Sequence, residues 1–151
     1  MSLLAPVHAA RTQLKAPPAF EAYPADVVSR PKAPLKLQRG TRAWQFRTVI
    51  REGYESHSVN FAGHLVAISW GCGAPCQGWA LVDVRNGIVY MVPFATAGGA
   101  ALRPDSRLFV ADPAQGTAGD CGDGPGLMEA LCRGEDTTYY RWNGRTLERI
   151  P

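Results

Sequence analysis

Two of the four cysteines lie in a short segment whose residue types could support redox chemistry, metal binding or a crosslink. Cys72 and Cys76 stand between Trp70 and Trp79 in SWGCGAPCQGWA, residues 69–80. A thioredoxin-like redox site has two residues between its cysteines, at a helix N-terminus. Three residues intervene here, and both flanks have the pattern of strands. The spacing therefore favours a disulfide that closes a turn.

The other two cysteines, Cys121 and Cys132, are separated by ten residues. Structural zinc sites favour two tight pairs of the CxxC kind, with a histidine such as His64 as an alternative ligand. The wide second pair argues against zinc, so we predict no metal and no cofactor. Three disulfide connectivities are open. The local one, Cys72–Cys76 with Cys121–Cys132, needs the least chain excursion.

His64 is the one candidate for a catalytic base. It lies in the apolar stretch NFAGHLVAISW, residues 60–70, which predicts a strand that is apolar on both faces. A general base needs a hydrogen-bonded partner and a cleft. Ser69 and Ser106 lie in interesting surroundings, but neither is part of a G-x-S-x-G elbow. His57 is expected to be exposed. The pattern favours a core histidine, which leaves His64 a weak catalytic candidate.

Two carboxylates, Asp120 and Asp123, lie in the glycine-rich segment GDCGDG, residues 119–124. Calcium takes six or more oxygen ligands. The carboxylates that could complete such a set are Asp112, Glu129, Glu135 and Asp136. Nothing in their spacing fixes a common site, so a solvated loop is the prediction. Glycine motifs of the P-loop or dinucleotide-binding kind are missing from the sequence.

Four aromatic residues are candidates for binding: Trp70, Trp79, Tyr139 and Trp142. Aromatic side chains of this kind usually belong to the core or to sheet edges. If two or more share an exposed face, they would form a binding patch for a protein or a glycan.

The periodicity predicts one helix and about six strands. Thr41 can cap a helix that ends near Glu55. Apolar stretches predict strands at 60–70, 78–84, 88–94, 138–142 and 145–150. In the segment 102–112, a Pro-Asp-Ser turn precedes another strand. Asn86-Gly87 and Asn143-Gly144 predict hairpins, the first through a two-residue type I′ turn. We expect an α+β fold with a single antiparallel β-meander sheet, whose hairpins resemble propeller blades, and one N-terminal helix. The chain is too short for an ordinary closed propeller.

Composition divides the chain into three parts. Residues 1–9 are predicted to be a signal-peptide remnant, with Met1-Ser2-Leu3 as an expression scar. Residues 10–39 form a Pro-rich extended arm, and residues 40–151 a single α+β domain. Residues 1–51 hold nine Lys/Arg and two Asp/Glu, whereas the rest hold seven and eleven. The basic part has no interleaved aromatics of a nucleic-acid platform, and no apolar run reaches the roughly 18 residues of a membrane span.

Three segments of the sequence resemble a pattern known from other proteins. They are NFAGHLVAISWGCGAPCQGWALVDVRNGIVYMVPF (60–94), RPDSRLFV (103–110) and YYRWNGRTLERI (139–150). Together they are similar to a pattern found in uncharacterised secreted or lipid-anchored proteins of Gram-negative bacteria. The likeness covers roughly residues 40–151. The chain departs from it at Leu65, where an aromatic is usual, and in its long 113–136 insertion. The resemblance implies a periplasmic or secreted location and brings no activity.

Three functions stay open at this point. The first is a non-enzymatic binding module of the cell envelope that recognises an envelope protein or a glycan. An inhibitor or immunity protein acting on a cell-wall hydrolase is one form of it. The second is a small periplasmic hydrolase that uses His64. The third is a structural envelope protein without a ligand.

Overall fold

The computed structural model describes residues 15–151, so the predicted signal-peptide remnant at 1–9 lies outside the described part. The helices are a 3-10 turn at Phe20–Ala22, then α1 (Arg42–Gln45), α2 (Arg47–Ser56), α3 (Ala118–Cys121) and α4 (Leu127–Arg133). The strands are β1 (Leu65–Gly71), β2 (Gln77–Asp83), β3 (Val89–Met91), β4 (Ala100–Ala101), β5 (Leu108–Ala111), β6 (Thr138–Trp142) and β7 (Leu147–Arg149). No helix in residues 15–151 is both long and apolar enough to cross a membrane.

The strands form two antiparallel sheets. The first has the order β1-β2-β3 and the second β4-β5-β6-β7. The α+β class and the antiparallel pairing are confirmed, whereas the prediction of one meander of about six strands is wrong. The chain leaves the first sheet after β3, and β4 pairs with β5 instead. β4 consists of two alanines, which give too weak a periodic signal to reveal a new sheet from the sequence.

Both faces of β1 are covered, which explains its continuous apolar sequence. Leu65 and Ala67 belong to a core cluster that they share with Phe109 of the second sheet. Val66 and Ile68 point the other way, into a second cluster with residues of α1 and α2. Alternate residues of a strand face opposite sides, so the first sheet is a middle layer between the second sheet and the helices.

The predicted single N-terminal helix is divided into α1 and α2, and four α-helices are present in the described residues. The Thr41 cap is confirmed, because its hydroxyl accepts a hydrogen bond from the Trp44 amide at 3.3 Å. The helix is interrupted at Phe46, whose ring stacks on Trp70 with centroids 4.7 Å apart. α4 lies in the 113–136 insertion. α3 lies in a stretch expected to be loop.

The β2–β3 connection is not the expected two-residue type I′ turn. The Asp83 amide donates to the Ile88 carbonyl and the Gly87 amide to the Asp83 carbonyl, so four residues form the loop. Gly87 has φ +74° while Asn86 has negative φ, whereas a type I′ turn needs positive φ at both central residues. A Cβ on Gly87 would overlap the Pro34 carbonyl oxygen. Glycine is therefore favoured at position 87 for two reasons: the turn needs a positive φ there, and the arm passes too close to leave room for a side chain.

The β6–β7 hairpin is displaced by one residue from the predicted Asn-Gly centre. Asn143 and Thr146 are the flanking residues, and the Asn143 amide donates to the Thr146 carbonyl at 3.1 Å. Gly144 has φ +100°, which fits a turn that needs positive φ only at its first central residue. The Asn143 side-chain oxygen accepts hydrogen bonds from the amides of Arg145 and Thr146.

The Pro-rich arm lies across both sheets. The Ala25 amide donates to the Asp105 carbonyl before β5, and the Val28 amide to the Gly63 carbonyl before β1. The amides of Ala33 and Lys36 bond to the Val84 and Gly87 carbonyls in the β2–β3 loop. Lys32 extends its ammonium to the carbonyls of Tyr54 and His57 at the C-terminal end of α2. These bonds to sheet and helix fix the course of the arm.

Candidate binding surface

His64 does not lie in a strand, as the sequence predicts, but in the turn that precedes β1. Ala62 and Gly63 adopt φ of +52° and +80° there, so β1 starts at Leu65. Asn60 bonds to both the amide and the carbonyl of Ala67, at 2.7 and 3.1 Å, in place of a strand neighbour. The turn places the His64 Nε2 atom 4.0 Å from Oδ2 of Asp83.

The carboxylate beside His64 is already paired. Asp83 is only 2% exposed. Arg85 donates to it from its backbone amide at 2.9 Å and from its NH2 group at 2.8 Å. Burial alone would raise the pKa of Asp83, but these hydrogen bonds outweigh it and hold the pKa below its ordinary value. The main role of Asp83 is to close the β2–β3 loop.

The imidazole of His64 is mostly neutral near pH 7. Burial lowers its pKa below the ordinary 6.5, and the nearby Arg85 charge lowers it further, while Asp83 acts in the opposite direction. The two hydroxyls that the sequence indicates for hydrolysis lie elsewhere. Ser106 is buried, and its hydroxyl lies 2.8 and 3.0 Å from the Phe20 and Tyr23 carbonyls of the arm. Ser69 is exposed on β1 opposite Trp79. The geometry assembles no nucleophile–base pair from these residues.

The four aromatic candidates do not share one exposed face. Trp79 and Trp142 are buried in the cluster between the sheets. Trp70 is half-buried on the helix side of the first sheet, against Phe46. Tyr139 is half-buried on β6, one residue out of phase with the inward Tyr140. Trp70 and Tyr139 therefore lie on different sheets and do not form one patch.

The cysteines form the two local pairs. Cys72 and Cys76 have Cα atoms 5.0 Å apart, and Cys121 and Cys132 have theirs 5.6 Å apart. The first disulfide closes the β1–β2 hairpin, where the Cys72 amide also donates to the Cys76 carbonyl. The second joins α3 to α4. Sulfurs that are paired in disulfides offer no thiolate ligand to zinc.

Asp120 and Asp112, two of the carboxylates considered as calcium ligands, serve local structure. Asp120 accepts hydrogen bonds from the amide and hydroxyl of Thr117, which forms a capping box at α3. Asp112 accepts from the amides of Ala97 and Gly98. Within residues 15–151, no group of three or more His, Cys, Asp or Glu side chains could hold a metal ion. Leu127 and Met128 at the start of α4 are 55% and 66% exposed, so the insertion also presents an apolar tip.

A surface groove lies where the arm enters α1 and passes beside β3. Its volume is about 440 Å³. Ala43, Val89 and Met91 contribute apolar lining, and Ile88 is 38% exposed at its border. The polar lining comes from Lys36, Gln38, Thr41 and Arg42. The groove thus combines accessible apolar surface with positive charge.

The cations of this groove have no acidic partner in the described residues. Neither Lys36 nor Arg42 forms an ion pair there. Seven Lys/Arg and no Asp/Glu occur between residues 27 and 51. Nearby, the guanidinium groups of Arg39 and Arg47 lie 5.1 and 4.8 Å from the ring centroid of Trp44. In the sequence, the groove is indicated only by this run of basic residues. Such a run is equally typical of a surface that is merely exposed to solvent.

No protein family model, curated protein or solved structure compared with the chain matches it. The resemblance carried by residues 60–94 stays a prediction.

Proposed function

We propose that this protein is a non-enzymatic binding module whose site is the groove between α1 and β3. The observation that carries the proposal is an apolar floor bordered by the unpaired cations Lys36 and Arg42 at the open edge of a sheet. Exposed apolar surface rimmed by polar residues is typical of interaction sites. The competing hydrolase hypothesis lacks a comparable arrangement, because Arg85 binds the only carboxylate paired with His64 in the described residues.

A protein partner is favoured over a glycan. Glycan recognition would use exposed aromatic rings, and the structure buries Trp79 and Trp142 between the sheets. The two disulfides are consistent with an oxidising compartment, so the partner belongs to the periplasm or the cell surface in this proposal. An inhibitor or immunity protein that acts on a cell-wall hydrolase is one specific form of it.

Site-specific photocrosslinking tests the proposal. The photoreactive residue p-benzoylphenylalanine is placed at Ile88 in the groove, or at Arg149 on β7 of the other sheet as the matched control. Both positions are exposed. The full chain is expressed in its own cell envelope and irradiated. We expect one discrete crosslinked protein from position 88, competed by excess unmodified chain, and none from position 149.

A groove position that crosslinks nothing, or only what position 149 captures, would contradict the binding site. Hydrolysis of a peptidoglycan or ester substrate that His64→Gln abolishes would contradict the non-enzymatic assignment. A captured hydrolase whose activity falls on addition of this chain would support the inhibitor form.

A further inference from the structure

We propose that the groove binds an extended, acidic segment of the partner, which adds as a strand to the free edge of β3. This inference rests on the proposed function, since it specifies what occupies the same groove. β3 is the last strand of its sheet. The arm reaches this edge only at its beginning, where the Lys36 amide donates to the Gly87 carbonyl. Beyond Lys36 the arm turns towards α1 and leaves the edge.

Among residues 15–151, the backbone of β3 has groups without a partner, and these face the groove. The Asp83 amide donates to the Ile88 carbonyl, and the Val92 amide donates to the Trp79 carbonyl. Alternate residues of a strand direct their backbone groups to opposite neighbours, so residues 88, 90 and 92 face β2. Val89 and Met91 must therefore face outward. The Val89 carbonyl and both backbone groups of Met91 are available to a new strand.

The available edge is short and has a defined end. The next outward-facing position is Pro93, which has no backbone N–H to offer. Three strand residues span about 10 Å, so the docked segment makes a few main-chain hydrogen bonds. Main-chain pairing of this kind gives affinity, and pockets for alternate side chains give specificity. Val89 and Met91 provide the apolar surface beneath such side chains.

The positive charges of the groove favour a partner segment that contains acidic residues. Lys36 and Arg42 line the groove, and none of the described carboxylates neutralises them. Aspartate or glutamate side chains on the docked segment would pair with them. A second copy of this chain would instead bring its own Lys36 and Arg42 to the same edge. Cations on an edge strand oppose such self-pairing, which favours a different protein as the occupant.

The test uses the full chain labelled with ¹⁵N and three blocked heptapeptides. The first alternates aspartate with valine, the second replaces every aspartate with lysine, and the third replaces the central valine of the first with proline. We expect the acidic peptide to shift the amide signals of Val89, Met91 and Arg42 most. The proline peptide should bind at least several-fold more weakly, because it lacks a central N–H.

Charge-reversal variants separate the groove from general attraction. Lys36→Glu with Arg42→Glu should weaken the acidic peptide roughly tenfold at low salt. Arg145→Glu with Arg149→Glu changes the net charge equally on the other sheet and should leave binding within about twofold. Shifts confined to another surface, equal binding of the lysine peptide, or concentration-dependent self-association through Met91 would each overturn the inference. A partner crosslinked at position 88 and retained by the Lys36→Glu/Arg42→Glu variant would overturn it while leaving the proposed function intact.

Discussion

Arg85 forms a two-point ion pair with Asp83, and the NH2–Oδ2 distance is 2.8 Å. This pairing joins two positions on either side of Val84, at the end of β2. Because of this ion pair, the buried carboxylate of Asp83 stabilises the β2–β3 hairpin, although it lies near His64. The same pair contributes to the titration of Asp83 and, together with burial, of His64.

Asp83→Asn should lower the free energy of unfolding by about 1.5–3 kcal/mol near pH 7, since hydrogen bonds to a charged group are lost. The folded-state pKa of Asp83 lies below its unfolded value. Its stabilisation is therefore present above the unfolded pKa and is lost as the pH falls through the folded pKa. Urea unfolding of both proteins should give converging stabilities in strongly acidic buffer. A constant difference down to the lowest pH would contradict this assignment.

His64 should titrate below 6.5 in an NMR experiment on the folded protein, because burial disfavours its charged form. Arg85→Gln should raise that pKa, since it removes a repelling charge. A His with a lowered folded pKa favours folding above its unfolded pKa and loses that contribution as the pH falls from about 6.5 through the folded pKa. His64→Gln should flatten the stability profile in this range.

Removal of the two disulfides should lower the free energy of unfolding by different amounts. Loop-closure entropy predicts about 2 kcal/mol for Cys72–Cys76 and about 3 kcal/mol for Cys121–Cys132. Paired Cys→Ala variants measured by urea unfolding provide the comparison. The β1–β2 ladder stays in place without its disulfide, because β1 and β2 pair from Leu65 to Gly71. A larger loss for the Cys72–Cys76 pair would show that the hairpin depends on its crosslink.

Gly87→Ala and Gly144→Ala form a matched pair of glycine substitutions. Both residues have positive φ, which costs an alanine roughly 1–2 kcal/mol. Only Gly87 has a neighbour in the way, because its new Cβ would overlap the Pro34 carbonyl oxygen, whereas nothing lies within 4 Å at Gly144. Gly87→Ala should destabilise more and should speed hydrogen exchange at the Lys36 amide. Equal losses would mean that the arm does not pass so close to the loop.

Trp79→Phe should cost more stability than Trp142→Phe, although both indoles are buried. The Trp79 Nε1 atom donates to the Thr96 hydroxyl at 2.9 Å, and that hydroxyl donates to Gln77 at 2.9 Å. Trp142 Nε1 has no partner among the described residues and lines a cavity of about 20 Å³. Breaking the Thr96 network leaves buried polar groups unsatisfied, at roughly 1–3 kcal/mol. Thermal unfolding of the two variants measures the difference.

Local patterns predicted much of this fold. β6 occupies the predicted residues 138–142, and the Thr41 cap follows directly from residue type. Leu65 and Ala67 point to one face of the first sheet, and Val66 and Ile68 to the other, as the alternation of strand residues indicates. Such features depend on residues that are close together in the sequence, so they can be predicted from it.

Features that depend on distant residues were missed. Ala62 adopts φ +52°, which few alanines do, and so moves His64 out of β1. The position of Gly87 against Pro34 involves residues more than fifty apart. The groove forms only because Lys36, Arg42 and β3 lie close together in space. Their proximity depends on how the strands are arranged in two sheets, which the sequence does not reveal. Charge runs alone could not distinguish it from a solvated face.

The Ser106 hydroxyl contacts the Phe20 and Tyr23 carbonyls across more than eighty residues. During synthesis the arm is therefore made before its binding sites, because the β2–β3 loop and residues 105–107 just before β5 do not yet exist. Contacts with so large a sequence separation slow folding. A nascent chain that stops short of Arg107 would leave its proline-rich arm accessible to chaperones and proteases, so docking of the arm requires synthesis of about two thirds of the chain.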